Sequence, residues 1–128
     1  MTKLLETKIY VQYSQLAIID AEDKSSYPQW ETGEELILFG EKGIVVATEN
    51  DIKVNTIVSS NIPKTNGNLL GSGSIQVGRK GMLVGNVTTN DLHSIECLSG
   101  KTRITIYVDN PGKAQIVEFV IQPEDEHH

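Results

Sequence analysis

Ile52-Lys53-Val54-Asn55-Thr56-Ile57-Val58 sets Ile52, Val54, Thr56 and Val58 against Lys53, Asn55 and Ile57. A period of two puts the first set on one face of an extended chain and the second on the other. β-Branched residues dominate the run, which suits a pleated, half-buried surface. The same rhythm continues upstream. Ile9, Val11 and Tyr13 alternate with Lys8, Tyr10 and Gln12, and Leu16 and Ile18 follow with Ala17 and Ile19 opposite. Leu36 to Phe39 and Ile44 to Thr48 are short apolar runs around Gly40-Glu41-Lys42-Gly43. Downstream come Ser74 to Val77, Met82 to Val87, Ser94 to Leu98, Thr102 to Val108 and Gln115 to Ile121.

Turn residues stand between these runs: Asn50-Asp51, Asn66-Gly67, Gly71-Ser72-Gly73, Gly78 to Gly81, Ser99-Gly100 and Asn110-Pro111-Gly112. No long stretch repeats near 3.6 residues; only Trp30 to Leu38 has room for a turn or two of helix, and Gly33 interrupts it. About eight or nine short strands spaced by turns predict an all-β, antiparallel β-sandwich, with a closed barrel as the alternative. One domain is expected over residues 1–122, followed by a polar tail at 123–128. Two loops are expected. Asp20 to Gly33 is acidic and contains Pro28, and Asn61 to Gly73 is polar and glycine-rich.

A chain of 128 residues can bury a core without disulfides or metals. The net charge of −6 disfavours direct contact with a nucleic-acid backbone or an anionic membrane. Cys97 is the single cysteine, so no intrachain disulfide forms, which fits a reducing, cytoplasmic compartment. Met1 to Tyr10 carries Lys3, Glu6 and Lys8 and does not read as a signal peptide. The sequon Asn86-Val87-Thr88 is expected to be fortuitous.

Seven of the seventeen carboxylates lie between Asp20 and Glu41, where Lys24 is the only base. The only tryptophan, Trp30, is there too. Calcium binding by Asp20, Glu22 and Asp23 would need a ligand spacing that the stretch lacks. Gly73 to Lys80 approaches a phosphate-binding loop, but Arg79 stands where the lysine belongs and Lys80 where the metal-binding hydroxyl belongs. His93 has only Cys97 nearby as a second soft ligand, too few for zinc. Cys97 lies in an apolar run, which suits a buried structural thiol better than a nucleophile. No Gly-x-Ser-x-Gly elbow is present. The chain is therefore expected to be no enzyme and to carry no metal or cofactor. An acidic loop around an aromatic anchor suits a basic protein partner, and the expected contact residues are Asp20, Glu22, Asp23, Tyr27, Trp30, Glu31, Glu34 and Glu35.

One segment has a familiar order. Tyr13-Ser14-Gln15-Leu16 leads into Ala17-Ile18-Ile19-Asp20, then an acidic loop with a proline, then Trp30, and later Gly43-Ile44-Val45-Val46. Leu98-Ser99-Gly100-Lys101 precedes Thr102 to Tyr107 and a last apolar strand. This order resembles the competence protein J family, small acidic nuclease inhibitors of bacterial transformation, over about the first fifty residues. The resemblance implies a β-sandwich that binds and masks a DNA-entry nuclease.

Two other functions compete with that expectation. One is a small-ligand or carbohydrate-binding sandwich that uses Tyr27, Trp30 and the loop carboxylates, assisted by calcium. The other is hydrolysis by an unrecognised carboxylate pair across a cleft. Exposed sandwich edges would also permit a homo-oligomer.

Overall fold

The structure, a computed structural model, describes residues 2–23, 28, 35–96 and 99–124. The described chain is all β. It contains ten strands: β1 (Thr2–Val11), β2 (Gln15–Asp20), β3 (Ile37–Phe39), β4 (Gly43–Ala47), β5 (Ile52–Ser60), β6 (Asn68–Val77), β7 (Met82–Asn86), β8 (Asp91–Ile95), β9 (Gly100–Val108) and β10 (Ile116–Pro123). They form two five-stranded sheets, ordered β1-β5-β10-β9-β6 and β3-β4-β2-β7-β8. A single hydrophobic cluster draws on both sheets. Ile9, Val54, Val58, Ile104, Ile106 and Phe119 come from the first, and Leu16, Ile18, Ile44, Val46, Met82 and Val84 from the second. The strands pair into two separate sheets with a shared core rather than one closed barrel, and Ala17, Ile19, Val45 and Leu83 form a further buried cluster on the other side of the second sheet.

Three expectations are corrected. The count is ten strands rather than eight or nine, because the chain turns at Tyr13-Ser14 and changes sheets there. Both residues have positive φ, 61° and 56°, so Tyr13 leaves the strand it was expected to continue. Pairing is not wholly antiparallel, since β10 runs parallel to β5, with Phe119 opposite Val58. Finally, Asn68 to Gly73 is not loop but the first half of β6, paired with β9.

Phe39 explains the glycines of that strand. Its ring lies over β6 so closely that a Cβ at Gly73 would overlap it, and one at Gly71 would press on it at 3.3 Å. The aromatic face supplies the packing that the glycines lack. It also links β3, at one edge of its sheet, to β6, at the edge of the other. The opposite sides of the sheets are joined at β1 and β8. Asp91 Oδ2 accepts the Tyr10 N–H at 3.0 Å, and the Thr89 hydroxyl donates to the Tyr10 carbonyl at 3.1 Å. These bonds occupy backbone groups that would otherwise face solvent along the β1 edge.

Candidate functional site

The strand register decides where the acidic stretch lies. Asp20 ends β2 opposite Met82, and its N–H donates to the Lys42 carbonyl at 2.9 Å. This is one end of the molecule. At the other end of β2, Gln15 pairs with Ala47, whose N–H donates to the Leu36 carbonyl at 3.0 Å. Asp20 and Leu36 therefore stand at opposite ends of β2, so among the described carboxylates Asp20 and Glu35 are separated along that strand rather than gathered at one point. The sequence signal was density along the chain, which carries no information about this separation.

At the Asp20 end the first acids serve the fold. Asp20 is buried, and its Oδ1 accepts N–H groups from Gly78 at 3.1 Å and Glu22 at 3.3 Å. Glu22 Oε2 accepts from the Arg79 N–H at 2.6 Å and the Lys80 N–H at 3.3 Å. The Gly78-Arg79-Lys80-Gly81 segment is thus a connection between sheets, held by two carboxylates. A Cβ at Gly78 would meet the Glu22 carboxylate, the movable end of that side chain, and would push it aside. Asp23 follows in the same turn, its N–H donating to the Asp20 carbonyl at 3.2 Å. Glu35 lies toward the far end, before Leu36. Tyr27, Trp30, Glu31 and Glu34 lie outside the described residues, as does Cys97.

The Leu36 end carries a feature that the sequence reading missed. Tyr13 is 67% exposed on the Tyr13-Ser14 turn. Two successive non-glycine residues at positive φ cost about 1 kcal/mol or more each, so surrounding bonds must hold them. The Ser14 N–H donates to Asn50 Oδ1 at 3.1 Å, and the Ser14 carbonyl accepts the Thr48 N–H at 3.1 Å. Asn86 secures both flanks. Its amide donates to the carbonyls of Gln12 at 2.9 Å and Gln15 at 2.7 Å, while its Oδ1 accepts the Thr89 N–H at 2.9 Å. The sequon asparagine is therefore buried and fully engaged. Beside the turn, the Tyr10 hydroxyl donates to Asp51, and a polar cleft of about 270 Å³ opens between Gln12, Tyr13, Asn50 and Asp51. The one available sequence clue was the pair Asn50-Asp51, whose turn-forming character places it at a strand end.

Replacing Asn86 with alanine should cost about 2 kcal/mol, because the part-buried carbonyls of Gln12 and Gln15 lose their donor and the Thr89 N–H its acceptor. Denaturant unfolding measures that loss. Hydrogen exchange should show faster opening around Gln12 to Gln15, whereas unchanged protection there would mean that the turn is held without Asn86.

Among the described residues no group of three or more His, Cys, Asp or Glu is placed to hold a metal ion. Nor is any helix there long and apolar enough to cross a membrane. His93 lies 3.0 Å from Asp91, a two-residue contact within β8.

No family model matches the chain, and no curated protein matches it in sequence. Solved structures do match. One is ComJ from Bacillus subtilis, an inhibitor of the DNA degrading activity of NucA, at a TM-score of 0.73 and 10% identity, covering 96% of this chain and 98% of that one. Another is a structure described as crocagin biosynthetic gene J, at a TM-score of 0.59 and 10% identity, covering 98% and 100%. The chain shares its fold with ComJ, a nuclease inhibitor, over nearly its whole length.

Proposed function

We propose that this chain is a non-catalytic β-sandwich protein that binds a DNA-degrading nuclease in the cytoplasm and inhibits it. The observation that carries the reading is the likeness in fold to ComJ over 96% of the chain. Charge supports it as well. A nuclease presents a basic surface to DNA, and a protein of net charge −6 is its electrostatic complement. The contact residues in this reading are Asp23, Tyr27, Trp30, Glu31, Glu34 and Glu35 of the acidic stretch. Asp20 and Glu22 shape its base through the Gly78–Gly81 connection rather than by touching the partner.

Size-exclusion chromatography of the chain mixed with NucA, and with the nucleases of its own source cell, tests this reading. A co-eluting complex with at least one of them is expected. Separate elution from every one of them would contradict the proposal.

Reversing Glu34 and Glu35 to lysine should weaken binding about tenfold, mainly through slower association. Surface substitutions of this kind shift stability by only about 0.5 kcal/mol. Surface plasmon resonance gives the rates and thermal unfolding the stability. Unaltered association would move the contact surface away from this stretch.

A small-ligand reading is favoured by one observation, a half-open hollow beside Tyr107. Tyr107, Val108 and Ile116 give it its apolar surface and Thr65, Asn66, Asn68 and Asp109 its polar groups, and a single carboxylate is too few for calcium.

A further inference from the structure

On the outer face of the first sheet, Leu69, Tyr107, Glu118 and Ile57 form a row across β6, β9, β10 and β5. A carboxylate in such a row should face water, yet Glu118 is completely buried. The segment after β5 folds over it. Glu118 accepts the Ser59 hydroxyl at 2.6 Å, the Lys64 N–H at 2.6 Å, the Thr65 N–H at 3.0 Å and the Thr65 hydroxyl at 2.6 Å. The carboxylate therefore pins Lys64-Thr65 above the sheet. Gly67 then passes close over β9, where a Cβ would meet the Val108 carbonyl at 3.1 Å and Tyr107 Cβ at 3.3 Å.

Beside this pinned segment a cavity of about 330 Å³ opens. Tyr107, Val108 and Ile116 give it apolar walls, and Asn66 and Asn68 give it an amide rim. Asp109, also at its edge, has Oδ1 engaged by the N–H groups of Gln115 at 2.9 Å and Ile116 at 3.1 Å. No cationic side chain lines it. A cavity of about 150 Å³ already accommodates benzene, so this one has room for a bicyclic ring.

The apolar surface does not stop at the cavity. Leu69, the cross-strand neighbour of Tyr107, is 64% exposed on the same face, outside the lining. An occupant that covers both must extend beyond a single ring, as a peptide segment does. We infer that this pocket receives an aromatic side chain, of tryptophan size, from the protein partner, with the flanking residues of that partner lying over Leu69. The inference rests on the protein-partner reading above. It places an aromatic anchor inside a polar rim, the arrangement in which interface energy concentrates.

Titration of the ¹⁵N-labelled chain with N-acetyl-tryptophanamide, and separately with N-acetyl-argininamide, tests the pocket itself. Saturable shifts are expected for tryptophanamide alone, at Asn66 to Leu69, Tyr107 to Asp109 and Ile116. Tyr107→Ala should weaken them about tenfold. No saturable shift, shifts elsewhere, or an equal response to argininamide would overturn the inference. Leu69→Asp, an exposed change that spares the core, tests the partner's role. Where the native chain inhibits a nuclease, this variant should need about tenfold more protein for the same inhibition. Inhibition at native strength would overturn the assignment while leaving the inhibitor reading standing. If the native chain inhibits no nuclease, the inhibitor reading fails and the tryptophanamide titration alone decides the pocket.

Discussion

Glu118→Ala should destabilise the protein by about 3 kcal/mol. The substitution removes the acceptor for the part-buried N–H groups of Lys64 and Thr65 and for the Ser59 and Thr65 hydroxyls, at about 1–3 kcal/mol for each group left unsatisfied away from water. Part of that cost is recovered as the segment lifts into water. The loss should therefore appear in two measurements: a lower midpoint in urea, and rapid hydrogen exchange confined to residues 61–67. Glu118→Gln should lose less, since the amide keeps one carbonyl oxygen as an acceptor.

The same residue makes stability depend on pH. Burial pushes the Glu118 carboxyl upward. The hydrogen bonds from Ser59, Thr65 and Lys64 together outweigh burial and hold it below its ordinary value. A carboxylate depressed in the folded state adds stability that is complete above the unfolded value and lost as pH falls through the folded one. The stability gap between the native protein and Glu118→Gln should therefore be widest near neutrality and narrow below about pH 4.3. A gap that stays constant through that range would mean that the carboxylate's charge contributes nothing.

Phe119→Ala should cost about 4 kcal/mol, the range found for a large aromatic removed from a packed core. Phe119 is the neighbour of Glu118 on β10 and points the other way. It is fully buried, in the middle strand of its sheet, opposite Val58 on one side and Ile106 on the other. No smaller side chain can close the gap between the sheets. A domain of this size has a total stability of about 5–15 kcal/mol, so the variant should melt more than about 10 °C lower. Calorimetry measures this directly. A drop of only a few degrees would show that the sheets relax to fill the space.

These two neighbours show what was legible in the sequence. The alternation of Gln115 to Ile121 marks a strand and puts Phe119 on its apolar side. Nothing in it shows that the other side is covered, because the cover comes from Lys64 and Thr65, more than fifty residues away. Other misses have the same origin. Asn68 to Gly73 looked like loop because glycines carry no alternating side-chain signal, and the ring that fills their place belongs to β3 in the other sheet. Tyr13 looked like one more strand residue because its positive φ is imposed by Asn50 and Asn86 from elsewhere in the chain. In the acidic stretch, spacing along the chain gives no distances between the carboxylates. Once folded, Asp20 and Glu22 hold an inter-sheet connection, and Glu35 stands toward the other end of β2. What periodicity does report, namely all-β character and turns at glycine, asparagine and proline, is local and was largely readable.

The most direct test of the account is degradation of linear DNA by NucA and by the nucleases of the source cell, titrated with the purified chain. Degradation by at least one of them should fall to near zero at about one equivalent, and added salt should weaken the effect. Undiminished degradation by all of them at a tenfold excess of the chain, under low-salt conditions, would contradict it.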